Sequence, residues 1–409
     1  MRIFTAVRHS ADPQFYYGVL WSANFYPALR SLGHELVESQ TDLWPASKFA
    51  HIPGDFTSQE LEVRSNVTQQ IINEVKNAHR ERPIDLVLSY FYNSHFDPAG
   101  FSEITRLGIP TVNFYCNSIY QFDLVSAISA AVDFAWHPEK DAKASYLAVG
   151  ANPVRVQMGA DPDVYRPASN TTRIAKACFV GQRYADRDRW IEELIKAEVP
   201  LAIYGSGWST NGSNQPNEMG KVSEETEYLG RKISRHASLE SYLRVFSKNL
   251  HDKGIVDGIA HTWRQKQYKQ KTHQLTALFA GLAHGAISFE GMCRAFSEHA
   301  VTLNFSNVWS DGKAGSKLVP HVRLRDFEAP MCRACYLTGH TDEIAEFYEP
   351  GKEIDTYRNP EELVDKTKYY LSHPAEAERI REAGYRRALR DHTWEQRFKQ
   401  LFSLIGLSK

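Results

Sequence analysis

Twice along this chain, short apolar runs alternate with segments whose apolar residues recur every three to four positions. That rhythm leaves few folds open. Ile3–Val7 is an apolar run. Trp21, Phe25 and Leu29 then share one helical face, and Gly33 stands where a helix commonly ends. His34–Val37 reads as the next strand. Val63, Val67, Ile71 and Val75 mark an amphipathic helix that must stop before Pro83, and Ile84–Ser89 reads as a buried strand. The alternation continues with a helix from Asp97-Pro98 to Gly108, strands at Thr111–Cys116 and Val132–Trp136, a helix over Glu139–Val149 and a strand at Val154–Met158. A βαβα order of this kind predicts an α/β fold, a parallel sheet with helices on both faces.

The segment Gly159–Thr172 is rich in Pro, Asp and Ser and breaks the rhythm. A second α/β set follows. Ala175–Val180 and Pro200–Tyr204 read as strands around a helix at Asp188–Ala197. From about 209 to 284 the pattern changes: an Asn/Gly/Ser-rich stretch precedes Tyr228–Ala277, where Leu239, Tyr242, Leu243 and Phe246 have helical spacing. We read this as a mainly helical insertion. Its run Arg264–Lys271 is basic, either a contact for an anion or a solvated helix face. The α/β rhythm resumes with a helix at Phe289–His299, a strand at Val301–Phe305, a helix near Phe327–Arg333, a strand at Ala334–Thr338 and a helix at Asp342–Tyr348. Asn359-Pro360, Pro374 and Thr393 each open a further helix. The expected organisation is two doubly wound domains, 1–160 and 175–390, joined by a linker at 161–174. A C-terminal helix over 391–409 packs back on the first domain. Ligands of such sheets bind beyond the carboxyl ends of the strands, so both domains should present those ends to a shared central cleft.

Charge removes some functions. The chain has 48 Lys+Arg against 49 Asp+Glu in 409 residues, a net of −1. A polyanion binder carries a basic excess, so no nucleic-acid partner is expected. No apolar run reaches the ~18 residues that span a bilayer, and no signal-peptide pattern precedes the first strand. Five cysteines, an odd number in apolar surroundings, fit a reducing compartment, and the expected location is the cytoplasm. Cys332-Arg-Ala-Cys335 lacks the second ligand pair of a zinc site and reads as two core residues. Oligomeric state is not legible.

The most informative stretch is Arg325-Asp-Phe327-Glu328-Ala-Pro-Met-Cys332, followed by an apolar strand and Phe347-Tyr-Glu-Pro-Gly-Lys-Glu353. This pattern resembles the CgeB-like (spore maturation protein-like) glycosyltransferases of the group-1-type GT-B superfamily. The resemblance extends through Tyr369–Pro374, Ile380–Tyr385 and His392–Arg397, and touches Phe179–Arg183, Tyr204-Gly205, Leu303–Ser306, Leu32–Glu35 and Gly159–Asp161. It implies a GT-B fold: two Rossmann-like domains, the second holding a nucleotide-diphosphate sugar (UDP-, GDP- or dTDP-linked) for transfer to an acceptor. No further cofactor is implied.

The resemblance places Glu328 on the ribose, whose vicinal hydroxyls suit a carboxylate. The same residue also suits the first turn of a helix by its charge. Gly181 and Arg183 match the phosphate loop after the first strand of the second domain. Arg323 and Arg325 are further diphosphate candidates, Arg325 alternatively a structural ion pair. Tyr204, Gly205 and Ser206 at a strand end, and Phe327 in the motif, complete the donor-binding set. Related retaining enzymes carry a second Glu eight positions before the first. Here that position is Pro320, which leaves donor sugar and stereochemistry open.

In the first domain, the loop after strand one offers His9, Ser10, Asp12 and Gly18. His9 is a candidate base for the acceptor hydroxyl if the enzyme inverts, with Asp12 as alternative or orienting partner. Tyr92, Asn93, His95, Asn117 and His137 lie at other strand ends and suit sugar hydroxyls and faces. Asp161-Pro-Asp163 spells an Asp-x-Asp motif but falls in the linker, so no metal is expected. A same-fold epimerase or phosphorylase, or a binding protein using the basic insertion, are the rival readings.

Overall fold

A computed structural model describes residues 1–9, 16–169, 172–208, 225–229, 231–234 and 255–407. The chain divides into two compact units. Unit 1 comprises Met1–Val164, Glu225–Ile233 and the residues from Thr393 on, and unit 2 the remainder.

Unit 1 is built on a six-stranded parallel sheet: β1 (Arg2–Ala6), β2 (Glu35–Glu38), β3 (Leu86–Ser89), β4 (Thr111–Phe114), β5 (Phe134–His137) and β6 (Pro153–Arg155), in the order β2-β1-β3-β4-β5-β6. All four residues of β3 are buried, as a strand covered on both faces requires. The helix Ser58–Glu81 buries Val67, Ile71, Ile72, Val75 and Ala78, a stripe at helical spacing. Its start is held by a capping box between Thr57 and Glu60. Gly33, at φ +78°, turns the chain from the helix Tyr16–Ser31 into β2. The helix Trp394–Leu404 lies in this unit too. Trp394 is fully buried among Trp21, Phe25, Phe114 and Trp136, and donates its indole N–H to Asn24 Oδ1 at 3.0 Å.

Unit 2 carries a five-stranded parallel sheet: β7 (Ile174–Val180), β8 (Leu201–Tyr204), β11 (His299–Asn304), β14 (Tyr336–Gly339) and β15 (Asp355–Tyr357), in the order β15-β14-β11-β7-β8. Its helices include Arg187–Lys196, Ile255–Phe279, Phe289–Glu298, Arg325–Met331, Pro360–Ser372 and Pro374–Asp391. Asn359 and Thr393 each accept a backbone N–H with their side chains, closing the helix starts that follow.

The described part of the insertion holds the long helix Ile255–Phe279 and a two-stranded sheet, β9 (Glu225–Tyr228) and β10 (Arg231–Ser234). Leu239, Tyr242, Leu243 and Phe246 lie outside the described residues. A helix expected at Asp342–Tyr348 is a single 3-10 turn, Ile344–Glu346. Finally, β12 (Asn307–Trp309) and β13 (Leu318–Pro320) form an antiparallel pair in a segment that reads as loop, because three-residue strands show too little alternation to register.

Candidate functional site

Each sheet reverses its strand order once. In unit 2, β8 follows β7 on one side while β11, β14 and β15 extend on the other, so the reversal lies between β7 and β11. The loops leaving two such strands part there and open a crevice. The loop after β7 leads into the helix that starts with Arg187. This side chain is 8% exposed; Nη1 donates to Gln182 O at 2.5 Å, while Nε has no acceptor. Its guanidinium stands 5.2 Å over the Phe179 ring. Burial draws its pKa down to about 9, and the neighbouring Arg323 and Arg325 add to that.

Arg323 gives Nη2 to Asn307 O at 2.7 Å and its backbone N–H to Asp326 Oδ2, and its buried Nε also lacks an acceptor. Arg325 pairs with Glu328 Oε2 at 2.7 Å and lies 5.0 Å over the Phe296 ring. Glu328 is 4% exposed, and its Oε1 accepts from the Tyr165 hydroxyl. Three guanidiniums thus gather at one reversal point, two of them with an N–H to spare. Glu328, Asp326 and Asp186 offset these charges only in part, and a bound anion would complete the compensation. Arg187 was missed by sequence reasoning. Its signal was position: a cation in the first turn of a helix opposes the helix dipole, an arrangement that makes sense beside an anion.

Other donor-side candidates take structural roles. All five N–H groups of Arg183 are bound within the protein. Nε and Nη2 grip Asp188 at 2.7 and 2.8 Å, and Nη2 also reaches Thr272 O. Nη1 reaches Thr276 Oγ1 at 2.8 Å and Gly207 O at 3.4 Å. Arg183 therefore ties the loop to the Ile255–Phe279 helix and has nothing left for a phosphate. Gly205, at φ +133°, packs so tightly that an added Cβ would sit 2.2 Å from Gly181 O. Its smallness serves backbone packing between two strand ends. Ser206 is exposed and accepts from Arg183 N–H; Tyr204 stacks on His284 at 5.1 Å. Phe327 is wholly buried against Phe347, Tyr348 and His392, a core contact.

In unit 1 the reversal falls between β1 and β3. His9, just past β1, meets the segment after β3: its ring stacks on Tyr90 at 4.8 Å and lies 5.8 Å from Tyr92 and 4.3 Å from His95. Its Nε2 is 2.5 Å from Tyr90 O. A carbonyl oxygen only accepts, so Nε2 carries the proton and Nδ1 the lone pair. Burial lowers the His9 pKa to about 4, which keeps the ring neutral. Tyr92 joins His9 here, half-buried.

His95 is fully buried; Nδ1 accepts from Tyr92 N–H, which leaves Nε2 to donate to Ser47 Oγ at 2.9 Å. Asn93 donates to Pro53 O and Asp123 O and accepts from Ile128 N–H. Both residues shape the loop: the two ring nitrogens of His95 and both amide N–H groups of Asn93 are bound within the protein. Asn117 and His137 sit beyond β4 and in β5, away from the reversal: Asn117 accepts from Tyr120, and His137 is buried on Tyr146. Gly18 lies within the helix Tyr16–Ser31, while Ser10 and Asp12 fall outside the described residues.

Cys332 and Cys335 are both buried thiols, and burial lifts Cys335 to about 12. Among the described residues no group of three or more His, Cys, Asp or Glu is placed to hold a metal, and no helix is long and apolar enough to cross a membrane.

Residues 258–403, just over a third of the chain, match a family model described as glycosyl transferase-like. No curated protein matches the sequence. Solved structures show the fold. A sucrose-phosphate synthase from Thermosynechococcus elongatus is 13% identical, with a TM-score of 0.52 over 99% of this chain and 98% of that one. AviGT4, a glycosyltransferase involved in avilamycin A biosynthesis, is 13% identical, with a TM-score of 0.54 over 98% of both chains. Anabaena HepE, solved in complex with UDP-glucose, is 11% identical, with a TM-score of 0.50 over 99% of both. The architecture is the GT-B fold: two Rossmann-like parallel-sheet units. Fold and family match together support a glycosyltransferase.

Proposed function

We propose that this chain transfers a sugar, of hexosyl type, from a nucleotide-diphosphate sugar to a small-molecule, glycan or cell-envelope acceptor. The observation that carries the reading is the cluster of Arg187, Arg323 and Arg325 beside Glu328 at the reversal point of the unit 2 sheet. Breaking the bond between the anomeric carbon and the diphosphate leaves negative charge on the leaving group. Arg187 and Arg323, two guanidiniums close enough to act on each other, stabilise that charge without a divalent ion. Each oxygen of Glu328 holds one partner and keeps a second lone pair, enough for the two vicinal hydroxyls of a ribose. The UDP-glucose bound to HepE supports a donor of this class.

In unit 1 we assign the acceptor's proton to His9 Nδ1, the lone pair left by the Tyr90 hydrogen bond. This takes the reaction as inverting. The motif around Glu328 and the Phe347–Glu353 run support the CgeB-like subgroup. Five thiols without a disulfide support a reducing, cytoplasmic location.

Titration of UDP, GDP and dTDP and their sugars into the protein, followed by calorimetry and melting temperature, tests the reading. One donor should bind and raise the melting temperature, and Glu328→Ala should weaken it at least tenfold. Unchanged binding in that variant removes the ribose role, and a product epimerised without transfer replaces the transferase by an epimerase.

A further inference from the structure

A recess of about 130 Å³ opens at the carboxyl ends of β11, β14 and β15. Trp190, Ser306, Asn307, His340, Tyr357 and Arg358 line it, with no acidic residue among them. Arg358 Nη2 approaches His340 Nε2 at 3.3 Å. A guanidinium only donates, so the imidazole proton is on Nδ1, which is buried and has no acceptor in the protein. Asp342, 3.5 Å from His340 Nε2, is fully exposed to water and contributes little field. The recess therefore offers a guanidinium, oriented by an imidazole, beside indole and phenol rings.

The wall of this recess is also the wall of the arginine cluster. Asn307 accepts from Arg323 Nη2 through its backbone oxygen, and its side-chain amide donates to Asp186 Oδ2 at 2.6 Å. Trp190, one turn beyond Arg187, donates to the same Asp186 oxygen at 2.9 Å. Across the β12–β13 pair, Asn307 stands opposite Pro320. A ligand whose diphosphate reached Arg187 and Arg323 would have its next group at this polar, cationic recess.

We propose that the recess receives a carboxylate or phosphate carried on a sugar substrate, so that the enzyme handles an acidic sugar in preference to a neutral hexose. The proposal rests on the donor reading above. The two oxygens of such a group accept from the Arg358 guanidinium, which His340 Nε2 holds in place, while the ring of the sugar lies against Trp190.

The test compares UDP-glucuronate with UDP-glucose, and GDP-mannuronate with GDP-mannose, by calorimetry on the full chain and on Arg358→Ala. A separate arm titrates free glucuronate and glucose 6-phosphate in the presence of the nucleotide that binds, to distinguish a charged acceptor from a charged donor. The expected result is at least tenfold tighter binding of the acidic ligand in one arm. Arg358→Ala abolishes that preference and leaves UDP or GDP affinity unchanged. Equal binding of acidic and neutral sugars in both arms, or a preference that survives Arg358→Ala and His340→Phe, overturns the proposal while the donor site stands. If no nucleotide binds, the donor reading fails, and the proposal with it.

Discussion

The two reversal points of this molecule are topological equals and chemical opposites. In unit 2 the loops after β7 and β11 bring together the guanidiniums of Arg187, Arg323 and Arg325 with the carboxylates of Asp186, Asp326 and Glu328, and burial together with the two other cations still draws the Arg187 pKa down. In unit 1 His9, just past β1, and the segment after β3 bring together tyrosines and two histidines, all neutral, with a lone pair left at His9 Nδ1. One reversal point is built on charge and the other on neutral rings. A site awaiting an anion can be recognised by charge it cannot satisfy alone. A site awaiting a hydroxyl can be recognised by one unused lone pair in an otherwise satisfied, low-dielectric setting.

The largest effect expected lies beneath that contrast, in the backbone that holds the unit 2 loops. Gly205→Ala forces a Cβ into Gly181 O and should cost roughly 3–5 kcal/mol, read as a lower urea midpoint. A variant as stable as the parent would mean the loops do not need this packing. Next, His9→Ala should lower kcat on the order of 100-fold or more with donor affinity intact; a wild-type kcat would strip unit 1 of its chemical role. Arg187→Ala sharpens the comparison most directly. Donor affinity should fall about 10- to 100-fold, while stability holds or rises because a buried cation leaves two others. A loss of stability without a loss of binding would make the cluster structural.

The neutral side predicts a pH effect of definite sign. Burial holds His9 and His137 at about 4, against roughly 6.5 in an unfolded chain. The unfolded state therefore binds more protons between those values, and stability declines as pH falls from about 6.5 toward 4. Each histidine contributes about 2 kcal/mol of that loss by pH 5. Urea melts at pH 7 and pH 5 should show a smaller difference in His137→Phe; an identical slope would show that His137 does not drive it. The smallest effect is Thr393→Ala, about 1 kcal/mol from a lost helix cap.

Much of the architecture was legible because its signals are local. Asn359 and Thr393 announce helix starts, and the apolar runs of β1, β3 and β11 announce buried strands. The site was legible only in part. Glu328 and Arg325 came from motif resemblance, and the structure does bring them together. Arg183 matched the same resemblance yet spends all its donors on Asp188 and the Ile255–Phe279 helix, a contact 89 residues away along the chain that no local pattern encodes. Arg187, inside the alternating Asp-Arg-Asp-Arg run, looks like a solvated helix face until the fold buries it. His95 and Asn93 were chosen for polarity at a strand end; only the loop's own hydrogen bonds show that this polarity is consumed.

The return of the helix Trp394–Leu404 to unit 1 has a consequence for synthesis. Trp21, Phe25, Phe114 and Trp136 emerge from the ribosome early, but the indole that completes their packing is added only after all of unit 2 has been made. Unit 2 can close its sheet while unit 1 still waits with an unfilled aromatic socket. At ~5–20 residues per second, that interval is on the order of 10 s or more.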